Sequence, residues 1–253
     1  MRKTLQQLLR TTAVDEILPL QEAESIQTLH HLMHSPERWF DHVRRYSTAV
    51  ILASVFGLRG AHCDSPRVKS FYDVQDQNAA IHELGATPPV DIFPFLKALP
   101  DSVSPWRRWA KIIRSDYRKL LFKLVEDSRS SGVDCFFAKM MDAQEKKGLT
   151  EEQIAHLGGV LVSSSPICLS RAVEHDTDFV SQMEAGSDTT ASTLLSFLLA
   201  LSSRPNVLRK CHKEVDHVVG MDRSPTAADM PKLQYLRAVM KEVRACPDNA
   251  PTP

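Results

Sequence analysis

Among the 253 residues of this sequence, the types best suited to chemistry gather in one short run, Ala185-Gly186-Ser187-Asp188-Thr189-Thr190. A carboxylate stands next to a hydroxyl that can both donate and accept, a combination suited to passing protons. The run lies in an apolar stripe at helical spacing that continues through Leu194, Leu195, Phe197, Leu198 and Leu201. A glycine inside a helix costs roughly 1 kcal/mol relative to alanine, and a buried charge needs partners. Two explanations fit these residues: a helix opened locally to admit a ligand, or a helix that starts here with Asp188 or Thr189 as its N-cap. Other candidates are weaker. His30 and His34 are four apart and could face a metal together, but no third ligand is evident, so they read as surface histidines and no metal site is expected. His212 and His217 do not share a helical face, and Arg44-Arg45 and Lys146-Lys147 read as solvated.

The elements that position this run are helices. Only 9 glycines occur, too few for many tight hairpins, and neither glycine-rich nucleotide motif is present. Composition is that of an ordinary globular chain, 43% hydrophobic and 25% charged. Thirty-one basic residues cancel 31 acidic ones, so nothing calls for nucleic acid as partner. The 5 cysteines are odd in number, widely spaced and without a C-x-x-C pair, which reads as reduced thiols. No apolar run reaches the roughly 18 residues of a membrane span. Basic residues Arg2, Lys3 and Arg10 give the first segment a weak likeness to a transit peptide, but its Leu5, Leu8, Leu9 spacing fits an amphipathic helix better.

Apolar spacing predicts helices around Leu20 to Met33, over Trp39 to Leu58, over Phe71 to Leu84 and from Trp106 to Leu124. The five prolines between Gly85 and Pro105 forbid one regular element there. In the Trp106 to Leu124 helix, Trp106, Trp109, Ile112, Ile113, Tyr117, Leu120, Leu121 and Leu124 form the apolar stripe, and Arg107, Arg108, Lys111, Arg114, Arg118, Lys119 and Lys123 make the other faces basic, with only Asp116 acidic. A core-packed helix with a solvated face is the plain reading, and contact with a membrane surface or an acidic partner is the other. Thr150 with Gln153 forms a capping box, after which periodicity fails from Val162 to Gln182. Pro205 opens another helix with Gly220 as its stop, Thr226 with Asp229 starts a turn, and Leu233 to Val243 marks a last helix.

Glu184-Ala185-Gly186-Ser187-Asp188-Thr189-Thr190-Ala191 resembles the central-helix signature of the cytochrome P-450 superfamily, the haem-thiolate monooxygenases. The run from Arg204-Pro205 to Val219-Gly220, then Asp229-Met230-Pro231-Lys232-Leu233-Gln234-Tyr235-Leu236 and Met240-Lys241-Glu242, is similar to the segment that follows it in the family. Tyr46 to Arg59 and Ser104 to Glu126 look like fungal members that act on polyketide-like secondary metabolites. The resemblance implies an all-α chain, the helical middle of that fold without most of its β-sheet. It implies haem, an NADPH-cytochrome reductase and a small organic substrate. By resemblance Asp188 and Thr189 deliver protons for O–O cleavage, Ala185 and Gly186 lie beside the haem, and Glu242 is the acid of a Glu-x-x-Arg pair. The family is bound to the endoplasmic reticulum membrane; with no anchor in the sequence, a cytoplasmic or peripheral chain is expected.

Several features depart from the family. Its axial thiolate comes from a Phe-x-x-Gly-x-Arg-x-Cys-x-Gly loop, and none of the 5 cysteines here has those neighbours. The acid-arginine pair reads Glu242-Val243-Arg244, and two residues apart means roughly 200° around a helix, so the two point apart. The chain is therefore expected to be a single partial domain over residues 1–253, truncated at both ends, inactive as it stands and prone to expose apolar surface. The alternative is a catalytically silent helical remnant or a partner-binding protein. Removing Val162 to Gln182 rejoins two halves of one helical pattern; valine codons begin GT and glutamine codons can end AG, so residues 162–182 read as a retained-intron-like insertion.

Overall fold

The structure is a computed structural model that describes residues 11–83, 85–90, 92–135, 137–138 and 180–245. Among the described residues there are α-helices and short 3-10 turns and no strand. The α-helices are α1 (Thr11–His34), α2 (Trp39–Phe56), α3 (Pro66–His82), α4 (Pro105–Ser131), α5 (Val180–Ser202), α6 (Pro205–Val218) and α7 (Gln234–Ala245). The capping box at Thr150 and most of the 162–182 segment lie outside the described residues. In the proline-rich stretch the described residues form two short 3-10 helices, Pro94–Ala98 and Asp101–Val103, in keeping with the expectation of no single regular element there.

Contacts divide the chain into two compact units. In the first, residues 51–187, α3 packs on α4. The α4 stripe buries Ile113, Tyr117, Leu120, Leu121, Leu124 and Val125, and α3 buries Val68 and Phe71. Ile112 departs from the expected stripe: it is 57% exposed, because the buried arc is centred one residue on, at Ile113. Helix α4 stops at Gly132 in the left-handed region, φ 62°. A second left-handed glycine, Gly57 at φ 66°, closes α2; a Cβ there would meet Val133 Cβ at 3.1 Å.

The second unit, residues 3–50 with 188–253, is joined by charged side chains. Arg45 on α2 corrects the solvated reading of Arg44-Arg45. It is fully buried, donating to Glu24 Oε2 at 2.7 Å and to Thr28 Oγ1 at 2.8 Å, both on α1. Two partners one helical turn apart take the Nη1 and Nη2 donors of the guanidinium, which is how such a charge is kept in a core. Burial, then the Glu24 charge, pushes the neighbouring Tyr46 phenol up, with Arg45 opposing. Glu22, also on α1, accepts the Ala227 N–H at 2.8 Å. Thr226 and Asp229 start the expected turn and form a capping box there, and Arg223 adds two bonds to Asp229 at 2.6 and 2.7 Å. The Arg223 guanidinium, ahead of the Thr226 N–H and hydroxyl, holds the Asp229 carboxyl far below the usual carboxylate range.

Candidate functional site

Helix α5 begins at Val180, two turns before Asp188, so Asp188 and Thr189 are interior helix residues and not caps. Ala185 and Gly186 are helical within it. Ser187 is fully buried and its hydroxyl donates to Gln75 Oε1 of α3 at 3.4 Å. Asp188, Thr189 and Thr190 come next and are exposed, and Ala191 is buried again. The Thr193 hydroxyl donates to the Thr189 carbonyl at 2.7 Å, an i to i−4 bond that competes with the helix ladder. The carboxylate and hydroxyl are thus adjacent and exposed on α5, with a buried serine just before them. Glu242 is exposed on the last turn of α7, as is Arg244 two residues on.

The described cysteines do not suit an axial thiolate. A thiolate ligand needs a surrounding that favours the charged form. Cys211 is buried, and that burial, followed by the Glu214 charge, pushes its thiol up. Cys135 is buried with Ser128 Oγ at 3.6 Å, and Cys63 stands 3.7 Å from the Asp64 carboxylate. Cys168 and Cys246 lie outside the described residues. His30 and His34 stack ring on ring at 4.1 Å between centroids, and His34 Nδ1 bonds the His30 carbonyl. Among the described residues no three side chains are grouped to hold a metal ion. Among the described residues, the cysteines therefore do not fit the iron-ligand role.

Sequence reasoning passed over Gln75, Glu24 and Glu214. Glu214 on α6 accepts the backbone N–H groups of Tyr235 and Leu236, each at 2.8 Å. Its one local sign was a charge bordering the apolar positions Cys211, Val215 and Val218, which any solvated face also shows.

The family model for cytochrome P-450 matches residues 175–244. Cytochrome P-450 monooxygenase acuC of Aspergillus aculeatus is 35% identical over 248 residues, covering 95% of this chain and 43% of its own length. Monooxygenase patH of Penicillium expansum is 35% identical over 245 residues, covering 94% and 42%. A cytochrome P-450 monooxygenase of Arthrobotrys oligospora is 34% identical over 252 residues, with 95% and 43% covered. A zebra fish cytochrome P-450 solved with progesterone superposes with TM-score 0.65 at 19% identity, over 90% of this chain and 49% of that one, which speaks for the fold alone. The helices and the α5 run are thus of the cytochrome P-450 kind. The chain belongs to the cytochrome P-450 family and spans somewhat under half the length of these curated relatives. No described helix is long and apolar enough to cross a membrane.

Proposed function

We propose that this chain carries the oxygen-side helix of a fungal cytochrome P-450 monooxygenase acting on a small organic substrate of secondary metabolism, with electrons from an NADPH-cytochrome reductase. The observation that carries the reading is the pair Asp188-Thr189, adjacent and open in the interior of α5. Haem is the family's cofactor and supplies its oxidising chemistry. In this chain the Thr189 hydroxyl accepts a proton at Oγ1 and passes on its own, Asp188 exchanges protons at its carboxylate, and Gln75 with Ser187 keeps the run in register. Ala185 and Gly186 leave backbone room on the haem side, and Glu242 belongs to a Glu-x-x-Arg pair that the spacing to Arg244 breaks. We read residues 1–253 as part of a single P-450 domain, with 162–182 an insertion.

Three experiments test this. Reduced 253-residue chain with haem and carbon monoxide should give no thiolate-type Soret shift; a full shift would show that it holds haem by itself. In a chimera where this segment replaces its match in patH, Thr189→Ala and Asp188→Asn should each slow turnover about 100-fold, and unchanged turnover would remove the proton role. A transcript lacking the codons for 162–182 should be the major species; one that keeps them throughout would end the insertion reading.

A peripheral membrane contact is a second reading, favoured by the exposure of Ile92, Phe93, Phe95, Val103 and Ile112 beside Arg108 and Lys111. Co-flotation with anionic vesicles, lost in Phe95→Glu, is expected; equal flotation of the two would count against it.

A further inference from the structure

Helix α7 buries none of its side chains completely, so packing alone defines its direction weakly. Its first-turn N–H groups need acceptors; the carbonyl of Leu233, the residue before the helix, takes the Arg237 N–H, but the Leu233 side chain has no acceptor to give to the earlier ones. The acceptor comes from another helix: Glu214 of α6 takes the Tyr235 N–H on Oε1 and the Leu236 N–H on Oε2, both at 2.8 Å. A negative charge is also what a helix N-terminus favours. One turn earlier on α6, the Lys210 ammonium lies 5.7 Å from the centre of the Tyr235 ring, and Leu233 and Cys211 are both buried. A side chain that caps its own helix leaves that helix free to swing; one that caps a neighbour ties the two together.

We propose that Glu214 is a positioning residue, a cap supplied across helices that sets the direction of α7 and hence the place where that helix carries Glu242. This rests on the family reading for the importance of Glu242, but the test below needs neither haem nor turnover, so the two can fail separately. In the full 253-residue chain, amide exchange at Tyr235 and Leu236 is followed in the parent, Glu214→Gln and Glu214→Ala, with ketone-reactive spin labels on p-acetylphenylalanine at exposed positions 212 and 241 to read the α6–α7 distance. Glu214→Ala should speed those two amides about tenfold and broaden the distance distribution, with Glu214→Gln in between because one carbonyl acceptor survives. Adding Leu233→Ser to Glu214→Ala supplies a local cap; it should recover the amide protection and leave the distance broad. The proposal is overturned if Glu214→Ala leaves protection and distance as in the parent, if exchange speeds equally in α3 and α4, or if Leu233→Ser restores the narrow distance.

Discussion

Between α3 and α4, the joint is made by Val68 and Phe71 against the Ile113 to Val125 stripe, and the ion pairs nearby stay at the surface. Arg67 and Asp127 meet at 2.9 Å with side chains 42% and 26% exposed. In the other unit the joints are carboxylates: Glu24 on Arg45, Glu22 on the Ala227 N–H, Glu214 on the first turn of α7 and Asp229 on Arg223. Apolar contact is insensitive to direction, so a wide stripe locks a helix by area alone. A charged cap is directional but holds only while both partners are present. The first unit should thus lose stability in proportion to volume removed, and the second should fail at single atoms.

The largest expected effect is at the buried ion pair. Arg45→Met leaves Glu24 as an unpaired buried charge and should cost about 3–5 kcal/mol in urea unfolding, whereas Arg45→Met with Glu24→Leu should recover most of it. A cost under about 1 kcal/mol for Arg45→Met would break the contrast between the units. Next, Leu121→Ala in the α4 stripe should cost about 3 kcal/mol through lost transfer energy and a cavity, read in the same assay. Gly57→Ala, with φ 66° and Val133 in the way, should cost about 1–2 kcal/mol by thermal unfolding, marking where the apolar unit is itself sensitive to one atom.

A smaller effect is expected from acid. Folding lowers the Asp229 carboxyl below its ordinary value of 3.8, so its contribution is fully present above that value and is lost as pH falls through the lowered folded one. Amide signals of residues 223–230 should therefore stay fixed from neutral pH down to about 4 and shift only below it; a transition near pH 6 would contradict the pairing. Smallest of all, Lys119→Ala removes an exposed pair with Asp116 on α4 and should change stability by less than about 0.5 kcal/mol in urea unfolding.

Much of the helical layout was legible along the chain, because apolar spacing, proline and glycine act within a few residues. Trp39 to Leu58 was expected and α2 covers Trp39–Phe56; Pro205 opens α6; Thr226 with Asp229 starts its turn. Phe71 to Leu84 was less well bounded, since α3 starts earlier, at Pro66, where few apolar residues mark the first turn. Exposure was harder still. Met33 and Leu29 fit an inward stripe but are 81% and 52% exposed, and Arg45 fits an outward one but is buried. The Asp188-Thr189 pair was visible as residue types, yet whether it capped a helix or lay within one could not be read from spacing.

Residue order by itself determined which segments coil into helices, where they stop and that a carboxylate stands beside a hydroxyl at Asp188-Thr189, since those depend on backbone preference and side-chain chemistry close at hand. Folding in three dimensions decided the rest: that Gln75 meets Ser187 from 112 residues away, that Arg45 finds two acceptors on α1 and that Glu214 finishes a helix it does not belong to. The reason is that burial and hydrogen-bond satisfaction belong to groups brought together from distant places in the chain, and no local pattern records which partner will arrive.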